Sequence, residues 1–157
     1  MVDFNLSIPE RVRVFIDGIV ADTSYHGFEK QLLNRVEFEG TSQQSLETIF
    51  SLYIDESMCN KDLYLHGGAA ITLLDNLSST ALIFVQRDGY WHNFGVSRSL
   101  TTLFHKPVRC GDTVTIRCTV VAAGRKMATV RGAIIDGSAS LCVTCLHDKF
   151  AIPSSKL

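Results

Sequence analysis

The sequence predicts an α+β domain: an antiparallel β-sheet wrapped around one long central helix, with an extra N-terminal helix. Three observations carry this. An apolar run from about Gly67 to Val85 approaches membrane-spanning length, but Asp75 and Asn76 sit near its middle, with Ser78, Ser79 and Thr80 behind them. It therefore reads as the buried helix of a soluble protein. Two β-rich segments precede that run, and four follow it as an apparent meander with hairpin-type connections at Ala123-Gly124-Arg125 and Asp136-Gly137-Ser138. With 157 residues, 46% hydrophobic and 20% charged, the chain can bury a substantial core as one domain. We divide it into an N-terminal helical segment (1–32), a sheet-and-helix domain (33–152) and a C-terminal tail (153–157).

Each element has its own signal. Ser7-Ile8-Pro9-Glu10 fits a capping box, and Val12, Phe15, Ile16, Ile19 and Val20 follow at helical spacing, predicting a helix over 8–22. Gly27 breaks that pattern, and 28–33 reads as a further helical turn. Residues 35–39 alternate as a strand, Gly40-Thr41-Ser42 reads as a turn, and 46–54 is its β-rich partner. A loop over 55–63 leads to His66. The central helix, about 68–86, is apolar around most of its circumference and is expected to be enclosed. After Asp88-Gly89, strands are expected at 94–104, 113–122, 126–135 and 139–150. His105-Lys106-Pro107 closes the first of them, Cys110-Gly111-Asp112 turns, and Pro153 ends the last.

The formal net charge of −1 argues against broad nucleic-acid or membrane-surface binding. The N-terminus lacks the basic start of a secretory signal. Five cysteines, an odd number, fit reduced thiols in an intracellular compartment. Cys142-Val143-Thr144-Cys145 has the spacing of a redox or zinc motif, but it falls in a strand, where residues three apart face opposite sides. No second pair exists to complete a zinc site, so the thiols read as structural and no metal is expected.

The stretch His66-Gly67-Gly68, followed by Asp75, carries the chemistry. A glycine turn opening a helix leaves backbone N–H groups able to hold an anion, with the helix macrodipole behind them. Glycine at 67 lets a carbonyl approach with no Cβ in the way. A carboxylate among Ala, Ile, Leu and Val is costly unless paired or used, and lost hydration suits it to general-base work. It could equally attack a carbonyl directly and form an anhydride. Eight helical residues separate Gly67 from Asp75 by about 12 Å, more than an aspartate side chain spans. If both act on one carbonyl, they come from two subunits whose central helices run antiparallel, which gives a two-fold dimer with two composite sites.

Asn60, Leu65-His66-Gly67-Gly68, Leu74-Asp75-Asn76 and Gly95-Val96-Ser97 resemble a known family across roughly residues 33–150: the hotdog-fold acyl-CoA thioesterases of the phenylacetate-pathway (PaaI-like) and thioesterase superfamily member 2 type. The resemblance implies a hotdog fold and hydrolysis of an acyl-CoA to free acid and CoA, with coenzyme A as part of the substrate and no separate cofactor. It implies that the Gly67 N–H, helped by Asn60, polarises the thioester carbonyl. Asp75 would activate water, Ser97 would hold that water, and His66 would shape the site or assist the leaving thiolate. Arg98 and Ser99 differ from what some relatives carry beside the serine. A homodimer or homotetramer is implied.

Plainer readings stand beside these. Asp75 also fits a carboxylate satisfied by Asn76 or a dimer contact, His66 a loop histidine, the glycines tight packing of the helix start, and Asn60 a loop cap. Ser97 shares its strand with Ser99, Thr101 and Thr102. The phosphates of coenzyme A need a basic patch; Arg125-Lys126 and His105-Lys106, with Arg109 behind, are the candidates, and each also fits solvated surface charge. Ser155-Lys156-Leu157 reads as a peroxisomal address for an import receptor, so the chain is expected in that organelle. A hotdog enoyl-CoA hydratase or dehydratase and a non-catalytic acyl-CoA binding module are the competing functions.

Overall fold

A computed structural model describes residues 3–87, 89–91 and 93–152; Asp88, Pro153 and the Ser155-Lys156-Leu157 tail lie outside the described residues. Helix α1 (Ile8–Ala21) begins where the Glu10 carboxylate accepts the Ser7 N–H at 2.7 Å, which satisfies a donor that the helix leaves unpaired. Val12 and Ile16 form its buried face. A short α2 (Lys30–Leu33) leads into β1 (Val36–Ser42) and β2 (Glu47–Tyr53). Helix α3 (Gly67–Thr80) follows, then β3 (Val96–Phe104), β4 (Thr113–Ala123), β5 (Met127–Ile135) and β6 (Leu141–Phe150). All adjacent strands pair antiparallel in the order β1-β2-β4-β5-β6-β3.

The sheet closes on α3. Leu73, Leu74 and Leu77 are fully buried against Phe50, Ile116, Val130 and Ile134. The helix comes so close to β5 that a Cβ at Gly132 would lie 2.8 Å from Leu74 Cδ2 and 2.8 Å from Cys145 Sγ, so any larger residue there must displace both side chains. Helix α1 lies over the far end of the helical run, with Arg11 donating to the Ile83 carbonyl at 3.3 Å and Phe15 meeting Phe94 edge-on at 4.6 Å. This is the hotdog arrangement with an extra N-terminal helix. Cys142 and Cys145 are both buried, and desolvation pushes the Cys145 thiol up to about 11, as befits packed thiols.

Five expectations need correction. Residues 40–42 continue β1 and the turn falls at 43–46: Gly40 marks a one-residue register slip between Phe38 and Gly40, so the glycine makes a bulge, not a turn. The last four strands are not a simple meander. Only β4-β5-β6 is one, whereas β3 lies beyond β6 at the sheet edge and β4 returns beside β2. The crossing of α3 over the sheet delivers the chain to that far edge. Strand β3 also starts at Val96 rather than 94, because Phe94 (φ 57°) and Gly95 (φ 62°) are left-handed.

The α-helix stops at Thr80 and tightens to 3-10 over Ala81–Val85. Side-chain hydroxyls compete for the ladder there, with Ser79 Oγ donating to Asp75 O at 2.9 Å and Thr80 Oγ1 to Leu77 O at 2.6 Å. Nor is α3 fully enclosed. The sheet covers one side only, and the stripe Gly68, Ile71, Thr72 and Asp75 stays at least partly open, with Ile71 39% exposed.

Candidate active site

The two ends of α3 carry different chemistry. At the N-terminal end the preceding loop is pinned by backbone bonds from Leu65 N–H to Val108 O and from His66 N–H to Met58 O, both 2.9 Å. Asn60 caps that loop: its Oδ1 accepts the Asp62 and Tyr64 N–H groups at 3.0 and 3.1 Å. His66 is the N-cap of α3, its Nδ1 accepting the Gly68 N–H at 2.9 Å, which places the ring proton on Nε2. The Gly67 N–H has no partner among the described residues. A cavity of about 340 Å³ at this end is lined by Asn60, Ala70, Phe104, His105, Lys106 and Val108, among others. On the other flank of His66, Phe28, Leu32, Met58 and Cys59 line a second cavity of about 430 Å³.

Two turns further along, Asp75 accepts a hydrogen bond from Ser97 Oγ at 2.7 Å. A bulge makes this contact possible. Along a regular strand Ser97 would share a face with Ser99 and Thr101, away from the helix. Between Ser97 and Ser99 the β3–β6 register slips by one, with Ser97 opposite Lys149 and Ser99 opposite Asp148. Ser97 thereby joins the helix-facing set, while Ser99 turns outward to Asp148 at 3.1 Å.

Behind Ser97 lies fully buried His147. Its Nε2 is 2.9 Å from Ser97 Oγ, and its Nδ1 is 2.6 Å from Ser78 Oγ. With a neutral ring, one proton arrangement satisfies these contacts together with the Ser97–Asp75 bond: Ser78 donates to Nδ1 rather than to the Asp75 carbonyl 3.5 Å away, Nε2–H to Ser97, and Ser97 to the Asp75 carboxylate. Burial, then the nearby Lys149 charge, pulls His147 down to about 4, against the opposite pull of Asp75, so the ring is neutral at physiological pH. Lys149, only 4% exposed, donates to Ser79 Oγ at 2.7 Å. Asp75 itself is less enclosed than its apolar neighbours in sequence suggest. Its side chain is 42% exposed because it lies on the open stripe of α3.

The structure thus brings Asp75 and Ser97 together, and groups Asn60, His66 and Gly67 at the other end of α3. Within one chain it does not join the two groups. The basic candidates also separate. Exposed Arg125 and Lys126 follow β4, close in register to the Ser97–Lys149 pair, whereas His105 and Lys106 follow β3 at the other end. Strand β5 alone spans roughly 27 Å between those ends. Lys106 is paired with Asp136 at 2.6 Å, His105 bonds Thr144 at 2.7 Å, and the Arg109 N–H is held by Asp112. His147 and Lys149 escaped the sequence reading. Their signal was parity, since they continue the inward set Val143, Cys145 with a histidine and a charge.

The family model of the thioesterase superfamily matches residues 64–143, a little over half of the chain and the part that carries both site groups except Asn60. Acyl-coenzyme A thioesterase 13 of Mus musculus is 28% identical over 102 residues, covering 65% of this chain and 68% of the mouse protein. The crystal structure of zebra fish thioesterase superfamily member 2 superposes with a TM-score of 0.78 at 23% identity, covering 92% of this chain and 98% of that one. A hypothetical thioesterase protein of Streptococcus pneumoniae TIGR4, solved with coenzyme A, gives a TM-score of 0.67 at 20% identity, over 76% and 88%. Fold and family together define a hotdog-fold thioester hydrolase. The chain belongs to the thioesterase superfamily.

Proposed function

We propose that this protein hydrolyses an acyl- or aryl-acyl-CoA to the free acid and CoA. The observation that carries the reading is the 2.7 Å contact of Asp75 with Ser97 on the open stripe of α3, with an unpartnered helix-start N–H at Gly67 on the same helix. Asp75 takes a proton from a water that Ser97 helps hold, and the hydroxide attacks the thioester carbonyl carbon. The oxyanion that forms is met by the Gly67 N–H, with Asn60 beside it, and collapse breaks the C–S bond to release the thiolate, near His66. The named relatives support the substrate class: one is called an acyl-coenzyme A thioesterase, another was solved with coenzyme A. Thiol release from a panel of acyl-CoAs tests the reading. Loss of enoyl absorbance without thiol release would move it to a lyase, and tight binding without turnover to a binding module.

The site is completed by a second copy of the chain. The open stripe of α3 and the exposed apolar residues of edge strand β3, Leu103 (59%) and Phe104 (56%), favour a two-fold dimer or a tetramer of dimers. Antiparallel helices would bring the Asp75 end of one copy to the Gly67 end of the other. Arg125-Lys126 of one copy would then share an end with His105-Lys106 of its neighbour. The double variant Arg125→Ala/Lys126→Ala should raise KM for an acyl-CoA about tenfold and leave KM for the matching acyl-pantetheine, which lacks the nucleotide phosphates, unchanged. Equal effects on both would remove this hairpin from phosphate binding.

Ser155-Lys156-Leu157 supports a peroxisomal address through an import receptor. A fluorescent protein ending in these three residues should collect in peroxisomes, and diffuse cytosolic signal would withdraw that placement.

A further inference from the structure

Among the described residues Lys149 is the one buried ammonium beside the Asp75 network, and the mechanism above leaves it unused. On β6 it follows Val143, Cys145 and His147 on the helix-facing side, and it is 4% exposed. Among the described residues its only hydrogen-bond partner is Ser79 Oγ at 2.7 Å, a neutral hydroxyl. A lone hydroxyl does not offset the desolvation of an ammonium; a carboxylate does. Ser79 in turn donates to the backbone carbonyl of Asp75 at 2.9 Å, so Lys149 is seated on the helical turn that carries the base. His147, two residues earlier on the same face, reaches that turn through Ser78. The charged and titratable groups around it are few. Helix α3 presents Asp75, and β6 presents His147 and the protonated Cys145 thiol. Strand β3 presents only the Ser97 hydroxyl, Arg98 being turned to Met127 Sδ, and Asp148 points to the opposite face, held by Ser99 and Thr129.

We propose that Lys149 is a positioning residue for this reaction: its buried positive charge, seated beside His147 on the turn that carries Asp75, adds to burial in disfavouring a second proton on the His147 ring. That holds the proton direction His147 Nε2–H to Ser97 Oγ–H to Asp75 Oδ1. A proton added to His147 would have to enter at Nδ1, reversing the bond from Ser78 and placing a second cation beside Lys149. The direction of the pulls agrees: burial, then Lys149, lower His147, burial lowers Lys149, and Asp75 pulls against both. The inference rests on the thioesterase reading for its catalytic consequence but not for its electrostatic one.

The test uses the full-length chain with Lys149→Met and Lys149→Gln. Both remove the charge at similar volume, a change that buried sites tolerate well, and Gln can still donate to Ser79. Proton NMR of the imidazoles, with the His147 signal assigned by its loss in His147→Gln, follows protonation without substrate. In the wild type His147 should stay neutral down to about pH 4. In both variants its midpoint should rise by about one pH unit, because a repelling cation has gone. The acid limb of kcat/KM should move up with it, while KM and the rate above pH 8 stay within about threefold of wild type. A wild-type midpoint near the ordinary histidine value would overturn the proposal. So would an unmoved midpoint in either folded variant, or a Gln variant that behaves as wild type, which would assign the effect to the Ser79 hydrogen bond. If the wild type hydrolyses no acyl-CoA, the thioesterase reading fails while the titration still reports on Lys149.

Discussion

Asp75→Asn should fold as the wild type does and hydrolyse acyl-CoA about a thousandfold more slowly. The magnitude is that of a well-placed general base, which contributes about 10²- to 10⁴-fold. Folding should be spared because the Asn side-chain oxygen can still accept the Ser97 hydroxyl, and the side chain is 42% exposed, so no buried charge is stranded. What disappears is the ability to take a proton from water. Asp75→Ala should be as slow, and it also releases Ser97 from its partner. Circular dichroism melts paired with initial rates of thiol release decide the matter. Near wild-type rates in both folded variants would remove Asp75 from the chemistry.

The second large effect is expected at Gly67. Proline at this position is an unusually clean probe because Gly67 is the first residue of α3, where proline is well tolerated in helices and where the N–H it deletes has no partner among the described residues. His66, with φ −65° and ψ 134°, already has the extended conformation that a residue before proline prefers. A Cβ here meets only Phe104, at 3.5 Å, an ordinary contact. The helix should therefore survive, and kcat should fall about 10²- to 10³-fold, the range for losing one oxyanion donor.

Mixing then tests where the two halves meet. Subunits of Asp75→Asn and Gly67→Pro, each nearly inactive alone, should recover about a quarter of wild-type activity when unfolded and refolded together. Random pairing makes half the dimers hybrid, and each hybrid holds one intact composite site out of two. No recovery, with hybrid dimers present by native mass spectrometry, would mean that Gly67 and Asp75 serve the same chain or no common site.

The elements were legible in the sequence because each rests on local periodicity. The 3.6-residue recurrence of Val12, Phe15, Ile16 and Ile19 survives in the structure, and the strand expected at 113–122 is β4, with Val114, Ile116 and Cys118 inward. Strand order was not legible. Nothing local to β3 states that it pairs with β6 instead of β4, since that follows from where α3 lets the chain down. At the site, the glycine turn and Asp75 stood out by type and spacing. His147 and Lys149 did not, because the strand was read for its existence and not for which of its residues face inward. The openness of Asp75 was misjudged for a related reason. Apolar neighbours along a helix surround a residue in sequence, yet only those three or four positions away share its face.

The bulge at Arg98 has a consequence for how such sites arise. The hydroxyl at 97 reaches the helix side by a shift of phase, not by a change of residue type. A strand of the same residues paired without the bulge would keep the same serine and show it to solvent, with the hydroxyl at 99 on its face, whereas a chain lacking Arg98 would pair regularly with that serine still opposite Lys149. Activity at this edge can therefore be gained or lost by forming or smoothing one bulge, with every chemical group left in place. Relatives compared residue for residue without a gap at this point would seem to have traded their serine, when they have only changed step.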